Sequence, residues 1–458
     1  MDYSAANTGL WNVIIQLGII AGAVMLSNLL RRKISFIRRG LMPVSVIAGF
    51  MLLILKVAGV YPADADFLEL LVYHCIALGF IAMSLRTVNR KGASAARFTG
   101  LKSGAAIVGT YLVQALAGLF ITLVLAYTFM PGLFRAAGLL LPMGYGQGPG
   151  QANNIGSTYE ALGFAGGRSF GLSIAAAGYL CACTVGVVML NVWSRRGLLK
   201  AGRKKDEADL LSADYFQDSN EIPVSDSIDR LSVQIAMVLL VYLATYLLTW
   251  GITSGLSAVS EGLGNTLNPL LWGFNFIIGS MMALLTRVVL DKAREMKIVV
   301  RQYQNNYLLN RISGFFFDLM IVAGIASINP EDISGLWIPF VLMAVAGGTV
   351  TWLYLKKICR RIYGDYYHEG LISMYGMLTG TIGSGMLLLR EIDPELETPA
   401  ADNLVVGSSY GIVFGAPMLV LVSLATRSDL MCFVTFGFAA AYLALLTLLI
   451  YRLKRKKQ

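Results

Sequence analysis

Two short stretches place neutral oxygen and amide side chains among glycines at a spacing that could hold a small ion or anion. In MGYGQGPGQANN (143–154), Gly148 and Gly150 flank Pro149, and Gln151, Asn153, Asn154, Ser157 and Thr158 follow. In TGTIGSG (379–385), Gly380 and Gly383 interleave with Thr379, Thr381 and Ser384. Unwound backbone exposes carbonyls that can replace the water around an ion. The N–H groups that open the next helix offer a positive dipole end to an anion. Glycine allows the sharp turn and the close approach. Groups of this kind suit Na+ together with a zwitterion or carboxylate. Substrate binding is therefore expected at Gly148, Gly150, Gln151, Asn153, Asn154, Thr379, Gly380, Thr381, Gly383 and Ser384. Ion binding is expected at Asn154, Ser157 and Thr381.

A few further residues stand beside this set, Arg390 and Asp318 with two readings each. Arg390 could pair bidentately with a substrate carboxylate, or it could cap helix C-terminal carbonyls or meet Glu391. Asp318, in FFFDLMIVAG, is the one acid well inside an apolar run. It reads as an ion ligand or proton relay, or as a buried acid bonded to a neighbouring helix. Glu160 could attract cations. Arg168 reads as interfacial, and Asn275 as an interhelix hydrogen bond.

Other chemistries find little support. The sequence has no phosphate loop, metal-ligand helix or Ser/His/Asp set, so no enzyme is expected. The five cysteines have no metal spacing, and Cys181 and Cys183 read as small core residues. His74 and His368 are far apart in sequence.

The elements that must position these residues are membrane helices. The chain has 458 residues, of which 56% are hydrophobic and 14% charged, and a mean hydropathy of +0.65. That composition marks an all-α polytopic membrane protein in the lipid bilayer. Runs long enough to cross about 30 Å of hydrocarbon fall at 10–30, 41–60, 68–85, 103–129, 169–193, 231–252, 269–288, 312–328, 336–355, 404–425 and 429–451, about eleven spans. The N-terminal MDYSAANTGLW lacks the basic n-region of a cleavable signal, so the first span is expected to stay in the mature protein.

Charge orients the threading. With the N-terminus outside and the C-terminus cytoplasmic, the inner connectors are 31–40, 86–102, 194–230, 287–311, 356–368 and the tail from 452. They carry 32 of the 37 Lys and Arg, leaving Lys56, Arg135, Arg168, Arg390 and Arg427. This bias satisfies the positive-inside rule. It also accounts for the net charge of +10 without nucleic acid.

Two segments, 133–162 and 370–391, are neither spans nor ordinary loops. Each has apolar arms around a glycine-rich centre. An arm of about ten residues covers about 15 Å, half the hydrocarbon, so each reads as a re-entrant hairpin. Full crossing by either would move a basic connector outside. Residues 1–193 then hold five spans and a hairpin, 194–230 is a cytoplasmic linker, and 231–425 repeats five spans and a hairpin. Residues 426–458 add a last span and a basic tail. An odd number of spans precedes the linker, so the second half is inverted, as in alternating-access carriers.

At these hairpins the sequence resembles the bacterial glutamate:sodium symporter family. The likeness rests on GYGQGPGQA followed by Tyr159-Glu160, and on TGTIGSGMLLLREIDPELETPAADNL. It extends over most of spans one to ten, with Gln147 and Gln151 standing where that family carries a Gly-His-Gly type of motif. The resemblance implies a homodimeric elevator in the bacterial cytoplasmic membrane, with Na+ as coupling ion and an acidic amino acid such as glutamate as cargo. Alternatives are a proton-coupled carboxylate carrier using Asp318, an ion channel, or a membrane-embedded enzyme.

Overall fold

The computed structural model describes residues 4, 7–35, 42–86, 93–196, 198, 224–259, 268, 271–273, 275–297, 304–393 and 398–453. Every regular element among them is helical. In order they are α1 (Thr8–Lys33), α2 (Val44–Val57), α3 (Ala65–Ser84) and α4 (Ala93–Thr128). A 3₁₀ turn (Arg135–Leu139), a π-type turn (Pro142–Gly146), α5 (Pro149–Ala161) and α6 (Gly167–Arg195) follow. Then come α7 (Val224–Val259), α8 (Asn275–Glu295), α9 (Asn306–Ala326), α10 (Trp337–Ile362), α11 (Tyr367–Thr379), α12 (Ile382–Arg390), α13 (Ala400–Leu424) and α14 (Asp429–Arg452).

Among the described residues nine helices are long and apolar enough to cross a bilayer, against the eleven expected. They give the chain the architecture of a multi-pass helical membrane protein. The run at 41–60 yields only the 14-residue α2, about 21 Å long at 1.5 Å per residue. It stops before Gly59, whose φ is +73°. The run at 269–288 corresponds to α8, which continues into the charged sequence DKARE. Leu240, Leu243, Leu247 and Trp250 on α7 are exposed, as are Leu430, Phe433, Phe438 and Leu445 on α14. Such faces need lipid rather than water as solvent. Most of the expected linker, 199–223, lies outside the described residues.

The chain forms two compact units. The first comprises 1–72, 92–200 and 321–458; the second comprises 73–91 and 201–320. The boundaries fall within α3 and α9, so the units cut across the two halves read from sequence. In the second unit Leu78, Ile81, Leu85, Val238, Val241, Ala283 and Leu309 form an apolar core. There Asn275 Nδ2 donates to the Tyr242 hydroxyl at 3.2 Å, an interhelix bond of the expected kind. The first unit holds both broken segments.

Candidate functional site

The first segment breaks because its sequence cannot sustain a helical ladder. Pro142 and Pro149 lack an N–H, and Gly148 sits at φ +87°, ψ −176°, a region open essentially to glycine alone. The Gln147 N–H closes the π-type turn onto the Pro142 carbonyl at 3.1 Å. Helix α5 then starts at Pro149, and its first intrahelical bond runs from the Ala152 N–H to the Gly148 carbonyl at 3.2 Å. The N–H groups of Gly150 and Gln151 lie ahead of that ladder, and no side chain caps this end.

The second segment is a helical hairpin. Its arms α11 and α12 close on each other where Gly376 faces Gly385: a Cβ on Gly376 would stand 2.9 Å from the Gly385 Cα. Between the arms, Gly380 and Thr381 leave the helix, Thr381 being extended at φ −140°, ψ 174°. The first bond of α12 runs from the Gly385 N–H to the Thr381 carbonyl at 3.1 Å. Helix α12 likewise starts without a side-chain cap.

The two breaks meet. A Cβ on Gly148 would lie 3.5 Å from Thr381 Cγ2, 3.6 Å from the Gly380 carbonyl oxygen and 3.9 Å from the Tyr179 hydroxyl. Gly178 of α6 lies so close to the Thr379 carbonyl that a Cβ would overlap it.

The segments reach this meeting from opposite ends of α4. Arg135, at the start of the first, receives Thr122 Oγ1 on its carbonyl at 2.8 Å. Tyr363, just before the second, bonds Ser103 through its hydroxyl at 2.9 Å. Residues 103 to 122 span about 28 Å of helix. Between them Gln114 Nε2 donates to Thr351 Oγ1 at 2.8 Å and to the Leu378 carbonyl at 2.9 Å. The second break is thereby fixed near mid-length of α4. Each segment also returns to its own end. The first returns where Phe164 stacks on Phe134 beside Arg135, ring centroids 5.2 Å apart. The second returns where Asn403 Nδ2 donates to the Tyr366 hydroxyl at 2.8 Å.

Buried polar atoms gather on these elements without partners among the described residues. Both amide atoms of Gln151, Asn153 Oδ1, Ser384 Oγ and Gln114 Oε1 have no hydrogen-bond partner. Gln151 and Asn153 are each 1% exposed, Ser384 3% and Gln114 0%. A buried polar group left unpaired costs about 1–3 kcal/mol, so such groups mark places where a ligand or water completes the bonding. Gln114 Oε1 borders the first break, 2.8 Å from a Cβ built on Gly146. Ser384 Oγ borders the second, 2.9 Å from one built on Gly380.

Of the other sequence-derived candidates, Gly150, Asn154 and Thr379 are buried, and Thr379 Oγ1 is spent on the Tyr375 carbonyl at 2.8 Å. Gly383 is exposed beside the second break. Ser157 and Glu160 sit toward the far end of α5. There Ser157 donates to Glu69 at 3.2 Å, and Glu160 accepts the Arg168 backbone N–H at 3.0 Å. Arg390 is exposed at the C-terminal end of α12, about 13 Å of helix from the break. Asp318 is an exposed residue of the second unit. Sequence reasoning passed over Gln114, Thr351 and Tyr179, each a polar residue between apolar neighbours in a spanning helix.

Three of the five basic residues left over by the inward charge bias have side-chain partners. Arg135 pairs with Asp429 at 2.8 Å, Arg168 with Glu69, and Lys56 donates to Asn329 Oδ1 at 2.6 Å.

No protein-family model and no curated protein matches this chain.

Proposed function

We propose that this protein is a Na+-coupled secondary carrier of glutamate or a related acidic amino acid or small carboxylate, working by alternating access. The observation that carries the proposal is the meeting of two uncapped helix starts, α5 and α12, approached from opposite ends of α4. Their N–H groups and positive dipole ends would favour an anion bound between them. The carbonyls of the breaks and the unpaired oxygens of Gln114, Gln151 and Asn153 suit a hard cation or an ammonium. A cation bound there completes the anion site, which is how coupling arises.

Two further features support the carrier reading. The order helix, broken segment, helix occurs twice, as α4 to α6 and as α10 to α13, in keeping with an inverted repeat. The unit that holds both breaks draws on both halves of the sequence, as the moving part of an elevator would. The resemblance to glutamate:sodium symporters points the same way and brings with it the homodimer and the bacterial cytoplasmic membrane.

The test is uptake into proteoliposomes of a radiolabelled panel of amino acids and carboxylates, with and without a Na+ gradient. The proposal expects accumulation of an anionic solute driven by Na+, lost in Thr381→Ala. Accumulation driven by a pH gradient alone would replace Na+ with protons. Flux far above carrier turnover would make the protein a channel.

A further inference from the structure

Lys56 stands near the C-terminal end of α2, in a setting the carrier reading leaves unexplained. Its Nζ donates to three successive carbonyls, those of Ala326, Ser327 and Ile328, at 3.4, 3.3 and 3.2 Å. It also donates to Asn329 Oδ1 at 2.6 Å. The carbonyls lie past the last bonds of α9, which run from the Ser327 N–H to Ala323 and from the Ile328 N–H to Ile325. They are the unsatisfied negative end of that helix.

The loop that carries these oxygens is held in place. The Asn329 N–H donates to Ser169 Oγ at 3.3 Å, and Ser169 Oγ donates to Asp332 Oδ2 at 2.7 Å. One turn back, a Cβ on Gly324 would stand 2.9 Å from the Pro149 Cβ. The helix end that Lys56 neutralises therefore packs on the first residue of α5.

Four neutral oxygens converging on one positive centre are the ligand set of a monovalent cation. They include no carboxylate, the group on which protein sites for divalent ions chiefly rely. We propose that Lys56 is a tethered cation: its ammonium fills a monovalent-cation position at the end of α9, and Na+, K+ or NH4+ from solution fills the same position once the side chain is truncated. The chain thereby carries one positive charge at this helix end whatever ion is present outside. This inference stands apart from the carrier reading.

The test uses the full-length protein purified in detergent, melted in chloride salts of equal ionic strength. In choline chloride, whose cation is too large for the position, Lys56→Ala melts below the wild type. In NaCl, KCl or NH4Cl the gap between the two narrows by several degrees, and adding Asn329→Leu to Lys56→Ala removes that narrowing. A Na+ effect common to wild type and variant belongs to the coupling ion and leaves the gap unchanged. A gap that is the same in all four salts would overturn the proposal. So would failure of both Lys56→Ala and Lys56→Gln to fold in every salt, because a free cation should restore the vacated position.

Discussion

Gly148 and Thr381 face each other across the two breaks: a Cβ on the first would sit 3.5 Å from the Cγ2 of the second. That spacing is ordinary van der Waals contact, so steric room is not what requires glycine here. The backbone is, at φ +87° and ψ −176°. Gly148→Ala should cost about 1–3 kcal/mol of stability and abolish uptake, measured as a lower Tm alongside a transport assay. An alanine variant with unchanged Tm would mean that this backbone conformation is not held.

Gln151 and Asn153 separate function from folding. Among the described residues neither Gln151 amide atom has a partner, and neither does Asn153 Oδ1. Exchanging an unsatisfied buried amide for an apolar group of similar shape is near neutral or stabilising for the fold. Gln151→Met and Asn153→Leu are therefore expected to keep or raise the Tm while uptake falls at least tenfold. A large loss of Tm with uptake intact would make these amides structural.

The packing of α6 on the second break gives the opposite pattern. A Cβ at Gly178 overlaps the Thr379 carbonyl, and a backbone atom cannot swing aside as a side chain can. Gly178→Val should destabilise by about 1–3 kcal/mol or more and lower uptake together with Tm. The check is thermal melting of the purified variant.

The breaks were legible because they rest on local covalent chemistry: proline without an N–H, and glycine where the backbone turns. The nine long helices were legible because lipid demands runs of apolar residues. Hydropathy alone misjudged 41–60, where the helix ends at Val57, because a hydropathy window does not detect a turn made of small apolar residues. It also could not reveal that Gln114 meets Thr351 and Leu378, since pairing across distant spans leaves no local pattern. The sequence leaves Arg390 two readings, a partner for a substrate carboxylate or a cap at a helix C-terminal end. The α12 helix carries it to the far end, so Arg390→Gln should change uptake by less than about threefold.

The Arg168–Glu69 pair lies away from the breaks, with Ser157 also donating to Glu69. Its side chains are 17% and 36% exposed, so solvent screening keeps its contribution to about 1 kcal/mol. Arg168→Met should lower Tm slightly and leave KM unchanged, in contrast to Gln151→Met. A rise in KM would bring this pair into the cargo path.

His368 supplies a pH test. It packs edge-on against Trp193 with ring centroids 4.8 Å apart, and burial holds its pKa below the ordinary histidine value. The folded state resists protonation, so the unfolded state binds more protons as pH falls below about 6.5. Stability should be full above that pH and decline beneath it, toward the lower folded pKa. His368→Phe should flatten this part of the Tm–pH curve; an unaltered curve would assign it to other groups.

The central claim is that the two broken segments enter from opposite membrane faces and meet inside. Single cysteines at Ser157 and at Tyr367, in a cysteine-free background, probe the bases of the segments with a membrane-impermeant maleimide in oriented vesicles. The account predicts that one base reacts only from outside and the other only from inside. Reaction of both bases from the same face would contradict it.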